Sequence, residues 1–173
     1  TVKFDGIVSD GNGIKELFYS TDNGENFVPV KINSNKTGDI CSFSINIDTK
    51  KFADGPAVLW FKAIDKATSV GYYSFLYFID NTKPDVQIVS PAADQTMDGI
   101  FTVVGFAKDT IGVTELSWSF GTETGVFDLI PGNPYWAVTL DTRNIKEKSQ
   151  KFVIHAVDRA GNIVDVPRNI LLN

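Results

Sequence analysis

The chain has 173 residues, a net charge of −5, and apolar and aromatic shares of 43% and 12%. That composition argues against disorder, and the 16 basic residues form no stripe of the kind nucleic acid requires. No apolar run approaches the ~20 residues of a membrane-spanning helix, and a single cysteine leaves no internal disulfide.

Residues 1–9 alternate as a strand does, and the turn cluster Asp10-Gly-Asn-Gly13 follows. Residues 14–20 form the next strand. TDNGEN is a tight hairpin, and residues 27–32 return from it. After a polar loop, Cys41, Phe43, Ile45 and Ile47 alternate with Ser42, Ser44 and Asn46, which predicts a half-buried strand with Cys41 as a small core residue. Phe52 is the one anchor of the connection after it. Residues 57–65 and 71–79 are two aromatic-rich strands. Short strands at this spacing, with no helical period, predict an all-β sandwich.

Residues 80–84, DNTKP, form a short polar boundary. Beyond it come a strand at 85–90, a turn-rich stretch, and strands at 100–108, 113–120, 126–130, 135–141 and 163–172. Much of this repeats what came before. Gly6, Asp10, Gly13, Glu16 and Leu17 recur 99 positions later as Gly105, Asp109, Gly112, Glu115 and Leu116. From Phe43/Trp136 to Asp65/Asp158 the offset is 93. One unit has been copied. The prediction is two tandem immunoglobulin-like antiparallel β-sandwiches, residues 1–80 and 81–173. Nothing before residue 1 matches DVQIVSPAADQTMDG, so the first sandwich is expected to lack its initial strand. A longer protein with further repeats upstream is the corresponding expectation, and an open sheet edge is its physical consequence.

The ending AVDRAGNIVDVP, the opening TKPDVQIVSP and the body GFAKDTIGV resemble bacterial immunoglobulin-like (fibronectin-type-III-like) tandem modules. The resemblance covers the chain twice. The first copy departs from it at Ala67-Thr-Ser-Val, where the pattern expects Ala-Gly-Asn. It implies a large secreted or cell-surface bacterial protein in which such modules are spacers, adhesive stalks or accessory domains of enzymes.

Candidate chemistry is sparse. Ser20 to Phe27 resembles the Asp-box hairpin of sialidases, whose role is structural: Asp22 caps the turn, Gly24 takes positive φ and Phe27 plugs the core. His155, the single histidine, points away from the face shared by Phe152, Ile154 and Ala156, and no nucleophile–base set forms around it. The chain is therefore expected to be non-enzymatic. Asp10, Asp65, Asp80, Asn81, Asp109 and Asp158 end strands or flank the boundary. They read either as turn caps or as oxygen ligands for calcium, the one cofactor this pattern would take, at a joint that looks faintly like the cadherin linker. Phe18, Trp60, Phe75 and Tyr77 are expected to form an exposed aromatic face with no counterpart at Ser117, Val153 and His155. Trp118 and Trp136 are expected in the core. Such a face implies contact with a neighbouring repeat, a host or cell-surface protein, or a glycan. The functional expectation is a non-catalytic structural or adhesive repeat. The alternative is a carbohydrate- or protein-binding accessory module of a secreted enzyme.

Overall fold

The computed structural model describes residues 1–173. It is built of strands, with a single 3-10 turn at Thr49–Lys51 capped by the Asp48 side chain. The chain divides into two compact units, Thr1–Asn81 and Thr82–Asn173.

Unit 1 contains β1 (Val2–Ser9), β2 (Ile14–Ser20), β3 (Val28–Val30), β4 (Ile32–Ser34), β5 (Ile40–Ile47), β6 (Gly55–Asp65) and β7 (Val70–Ile79). One sheet has the order β1-β5-β4 and the other β3-β2-β6-β7. Residues 27–32 do not form one return strand. Val30 pairs with Leu17 in one sheet, and two residues later Ile32 pairs with Phe43 in the other. Both side chains pack on the same core, so the chain crosses between the layers at Lys31 without changing its inward face.

That core is small. Its buried members are Leu17, Ile45, Ile47, Leu59 and Phe61, with Phe4, Phe43, Phe75 and Tyr77 among the half-buried side chains around them. Cys41 is fully buried with its thiol 3.2 Å from the Ser34 hydroxyl, as the alternation of its strand predicts.

Unit 2 contains β8 (Asp85–Ser90), β9 (Thr96–Met97), β10 (Ile100–Lys108), β11 (Val113–Phe120), β12 (Glu123–Val126), β13 (Tyr135–Asp141), β14 (Ser149–Asp158) and β15 (Ile163–Leu172). Its sheets run β13-β10-β8 and β12-β11-β14-β15-β9. The return strand expected at 126–130 lies earlier, at Glu123–Val126. The two residues Gly121 and Thr122 close the hairpin with Gly121 at φ 59°, and pairing starts at once with Phe120 opposite Glu123. Fourteen apolar residues are buried in this core, and Trp118 and Trp136 both belong to it. Trp118 is half-buried, its ring 6.1 Å from that of Phe152 and stacked on it.

The two copies share their pairing pattern. Gly13 accepts the Lys66 amide as Gly112 accepts the Arg159 amide, and Ile14 pairs with Asp65 as Val113 pairs with Asp158. The difference lies at one flank. In unit 2, β10 is paired on both sides, by β13 and β8. In unit 1, its counterpart β1 is paired by β5 alone and forms the sheet edge.

Candidate interaction face

The sheet β3-β2-β6-β7 buries one face and presents the other outward. On β6, Leu59 and Phe61 point into the core, so Trp60 and Lys62 stand on the outer side. On β2, Leu17 is buried and Phe18 is its outward neighbour. The register then decides β7: Trp60 lies opposite Ser74 and Lys62 opposite Tyr72. Residues of β7 in phase with these are Tyr72, Ser74, Leu76 and Phe78.

This corrects the expectation for two of the four aromatics. Phe75 and Tyr77 face inward. Phe75 lies 5.6 Å and Tyr77 5.5 Å from the Phe4 ring, and both pack on the core. Burial pushes the Tyr77 phenol above its ordinary pKa. Tyr72, Leu76 and Phe78 hold the outward places instead, and are 60%, 67% and 60% exposed. Phe18 and Trp60 are half-exposed on the same face.

Phe27 joins this face and does not plug the core. Its ring is 6.2 Å from Tyr72, and the Lys62 ammonium lies 5.7 Å from Phe27 and 5.8 Å from Phe18. The rest of the hairpin matches its motif. Asp22 accepts from the Asn26 amide at 2.9 Å and from the Ser20 hydroxyl at 2.6 Å, and Gly24 has φ 84°. These bonds hold the Asp22 carboxyl at about 2, with the Asn26 backbone N–H the largest cause.

The corresponding face of unit 2 lacks the aromatics: Phe18 is replaced by Ser117, Trp60 by Val153 and Phe78 by Leu171. Offset by 93, Tyr72 and Leu76 become Asp165 and Asn169. His155 stands there too, its Nδ1 2.6 Å from Asp165 Oδ1. The same framework thus carries an aromatic surface in one copy and a mixed polar and aliphatic one in the other.

The acidic residues divide between the units. In unit 1, Asp10 accepts the Asn12 amide at 2.8 Å, and Asp65 accepts the Ser69 amide at 2.7 Å and the Asn12 side-chain amide at 3.1 Å. Burial alone would raise the Asp65 pKa, but the bonds from Asn12 and Ser69 outweigh it and the net direction is down. Asn81 donates from its backbone to Asp54 at 2.8 Å and from its side chain to the Thr49 carbonyl. Asp80 is half-buried beside it in the chain. In unit 2, Asp109 accepts the Ile111 and Gly112 amides, and the buried Asp158 accepts both amide groups of Asn162 at 2.8 Å. The turn-capping role is therefore filled at Asp10, Asp65, Asp109 and Asp158. The Asp109 and Asp158 carboxylates also approach within 4.8 Å of one another. Sequence order alone pairs none of these; the β11–β14 register does.

No family model matches the chain, and no curated protein matches it. Solved structures do. The fibronectin(III)-like modules of Clostridium thermocellum CbhA are 14% identical, with 99% of this chain and 85% of that one covered, at a TM-score of 0.48. A tetra-tandem repeat from the extending region of a large adhesion protein is 17% identical over all of this chain, at 0.42. A Ca2+-stabilized adhesin with which an Antarctic bacterium binds ice is 16% identical over 99% of this chain, at 0.43. The chain spans 45% and 44% of those two adhesin structures.

Proposed function

We propose that the chain is a non-catalytic repeat of a larger bacterial extracellular protein, acting as spacer and as interaction surface through the outer face of unit 1. The observation that carries this is the contrast between copies: Phe18, Trp60, Tyr72, Leu76 and Phe78 on one, Ser117, Val153, Asp165, Asn169 and Leu171 on the other, so that four aromatics have no aromatic counterpart. Exposed apolar side chains gathered on one sheet face favour a partner over water. Covering such a surface is worth roughly 25 cal/mol per Å², while association costs about 4–15 kcal/mol. We take individual contacts through this face to be weak. Weak contacts become effective when modules are linked in series, because the second binding event is intramolecular. A neighbouring repeat is the partner this favours. The one histidine is held by Asp165, and the strand-end carboxylates each cap a turn.

The test is an NMR titration of the isotope-labelled chain with an unlabelled second copy, and separately with soluble oligosaccharides. The proposal expects fast-exchange shifts at Trp60, Tyr72 and Leu76 with the second copy. Shifts at Trp60 with oligosaccharide instead would favour the accessory-module reading. No change with either would overturn the proposal.

Calcium is proposed as the ion of the Asp109–Asp158 pair, since hard oxygen ligands suit it. Each carboxylate keeps lone pairs beyond those its turn uses. Calorimetric titration tests it, with Asp109→Asn as the control; absence of binding by the unaltered chain overturns it.

A further inference from the structure

A groove of about 440 Å³ opens beside β1 in unit 1, walled by Phe4, Val8, Phe43, Phe61, Tyr73 and Phe75. It lies between the unpaired flank of β1 and the inner face of β7. In unit 2 the matching flank of β10 carries β8. There Ile88 pairs with Gly105 and Val86 with Ala107, and both aliphatic side chains are buried in the core. The positions 99 residues earlier are Gly6 and Val8, which line the groove.

The consequences of the open flank are visible side chain by side chain. Val103 and Ala107 are buried on β10, whereas Phe4 and Val8 on β1 are only half-covered. Val166 packs on the unit 2 core, whereas Tyr73, its counterpart at offset 93, is 67% exposed although it is in phase with the inward Phe75 and Tyr77. A sheet edge with free backbone donors and acceptors above an apolar groove is a template for an added strand.

We infer that unit 1 is a strand acceptor. Its occupant is an extended peptide segment running antiparallel to β1, with branched aliphatic residues at two alternate positions opposite Gly6 and Val8. The pattern is that of β8, Asp-Val-Gln-Ile-Val-Ser. Backbone bonds to residues 6–9 supply the register, and the two aliphatic side chains fill the groove. One feature differs from unit 2. Arg168 there donates to the Ile88 carbonyl at 2.9 Å, and the place of Arg168 is taken in unit 1 by Phe75. The acceptor in unit 1 therefore selects its strand through apolar contact more than through that carbonyl. This inference uses the inner side and edge of the sandwich, and stands apart from the outer-face proposal.

The experiment adds a synthetic peptide of the sequence of residues 83–91 to the full labelled chain. A second peptide carries the changes Val86→Asp and Ile88→Asp. The expected result is saturable amide shifts across Val2–Ser9, slowed hydrogen exchange there, and a raised melting temperature. The second peptide should bind at least tenfold more weakly. The inference is overturned by an unchanged β1 at millimolar peptide, or by an equal response to both peptides. It is equally overturned if β1 amides become protected as protein concentration rises without peptide, because the occupant is then a second copy.

Discussion

Gly6 and Gly105 hold the same strand position 99 residues apart, and a methyl group added at each would strike different things. At Gly6 it would meet the edge of the Phe43 ring at 2.4 Å; at Gly105 it would meet the Gln87 carbonyl at 2.1 Å and the Trp136 ring at 2.3 Å. A ring can tilt, but a backbone carbonyl paired in a sheet cannot move alone. Gly105→Ala is therefore expected to cost more than Gly6→Ala, in the ~1–3 kcal/mol range of overpacking. Each kcal/mol lowers the melt of a domain this size by roughly 4–8 °C. Calorimetry of the two variants checks the order.

Acid should spare two carboxylates longer than the rest. Asp22 and Asp141 are both held at about 2, the first chiefly by the Asn26 backbone N–H and the second chiefly by the Arg143 guanidinium. Folded values below the unfolded one mean that each group stabilises the fold above pH ~4, and that this contribution is lost as pH falls through about 2. Carboxyl-carbon NMR titration should give midpoints for both well below those of exposed aspartates. Asn26→Ala, which keeps the backbone N–H, should raise the Asp22 midpoint only part of the way.

The thiol of Cys41 is fully buried. Its reaction with a thiol reagent should be slow in native protein and should accelerate with denaturant as unit 1 opens. Fast labelling without denaturant would show that β5 is not held as described.

Phe152 fills the centre of the unit 2 core with no exposed surface, its ring within 6.1–6.4 Å of Trp118, Phe120 and Trp136. Phe152→Ala should cost ~3–5 kcal/mol. Urea denaturation should resolve the loss as a transition at lower denaturant.

The duplication was legible because paired positions keep residue type: Asp65 and Asp158 cap equivalent turns, and Leu59 and Phe152 are both fully buried. The phase of β7 was not. Residues 71–79 are nearly all apolar, so hydropathy does not distinguish Tyr72 and Leu76 from Tyr73 and Phe75; cross-strand pairing with β6 does. Phe27 was misplaced for a related reason. An aromatic after a tight turn fits a core or a surface equally, and here Lys62 and Tyr72 draw it outward. The sheet switch at Lys31 leaves no mark in the pattern, because Val30 and Ile32 keep a strand's alternation while pairing in different layers.

The most direct measurement is sedimentation velocity across a concentration series, comparing the unaltered chain with Leu76→Lys/Phe78→Lys and with the unit 2 control Val153→Lys. The substituted side chains of β7 are exposed, so stability should change little. The account predicts weak, concentration-dependent association for the unaltered chain and the control, abolished in the β7 variant. Identical behaviour of all three proteins would contradict it.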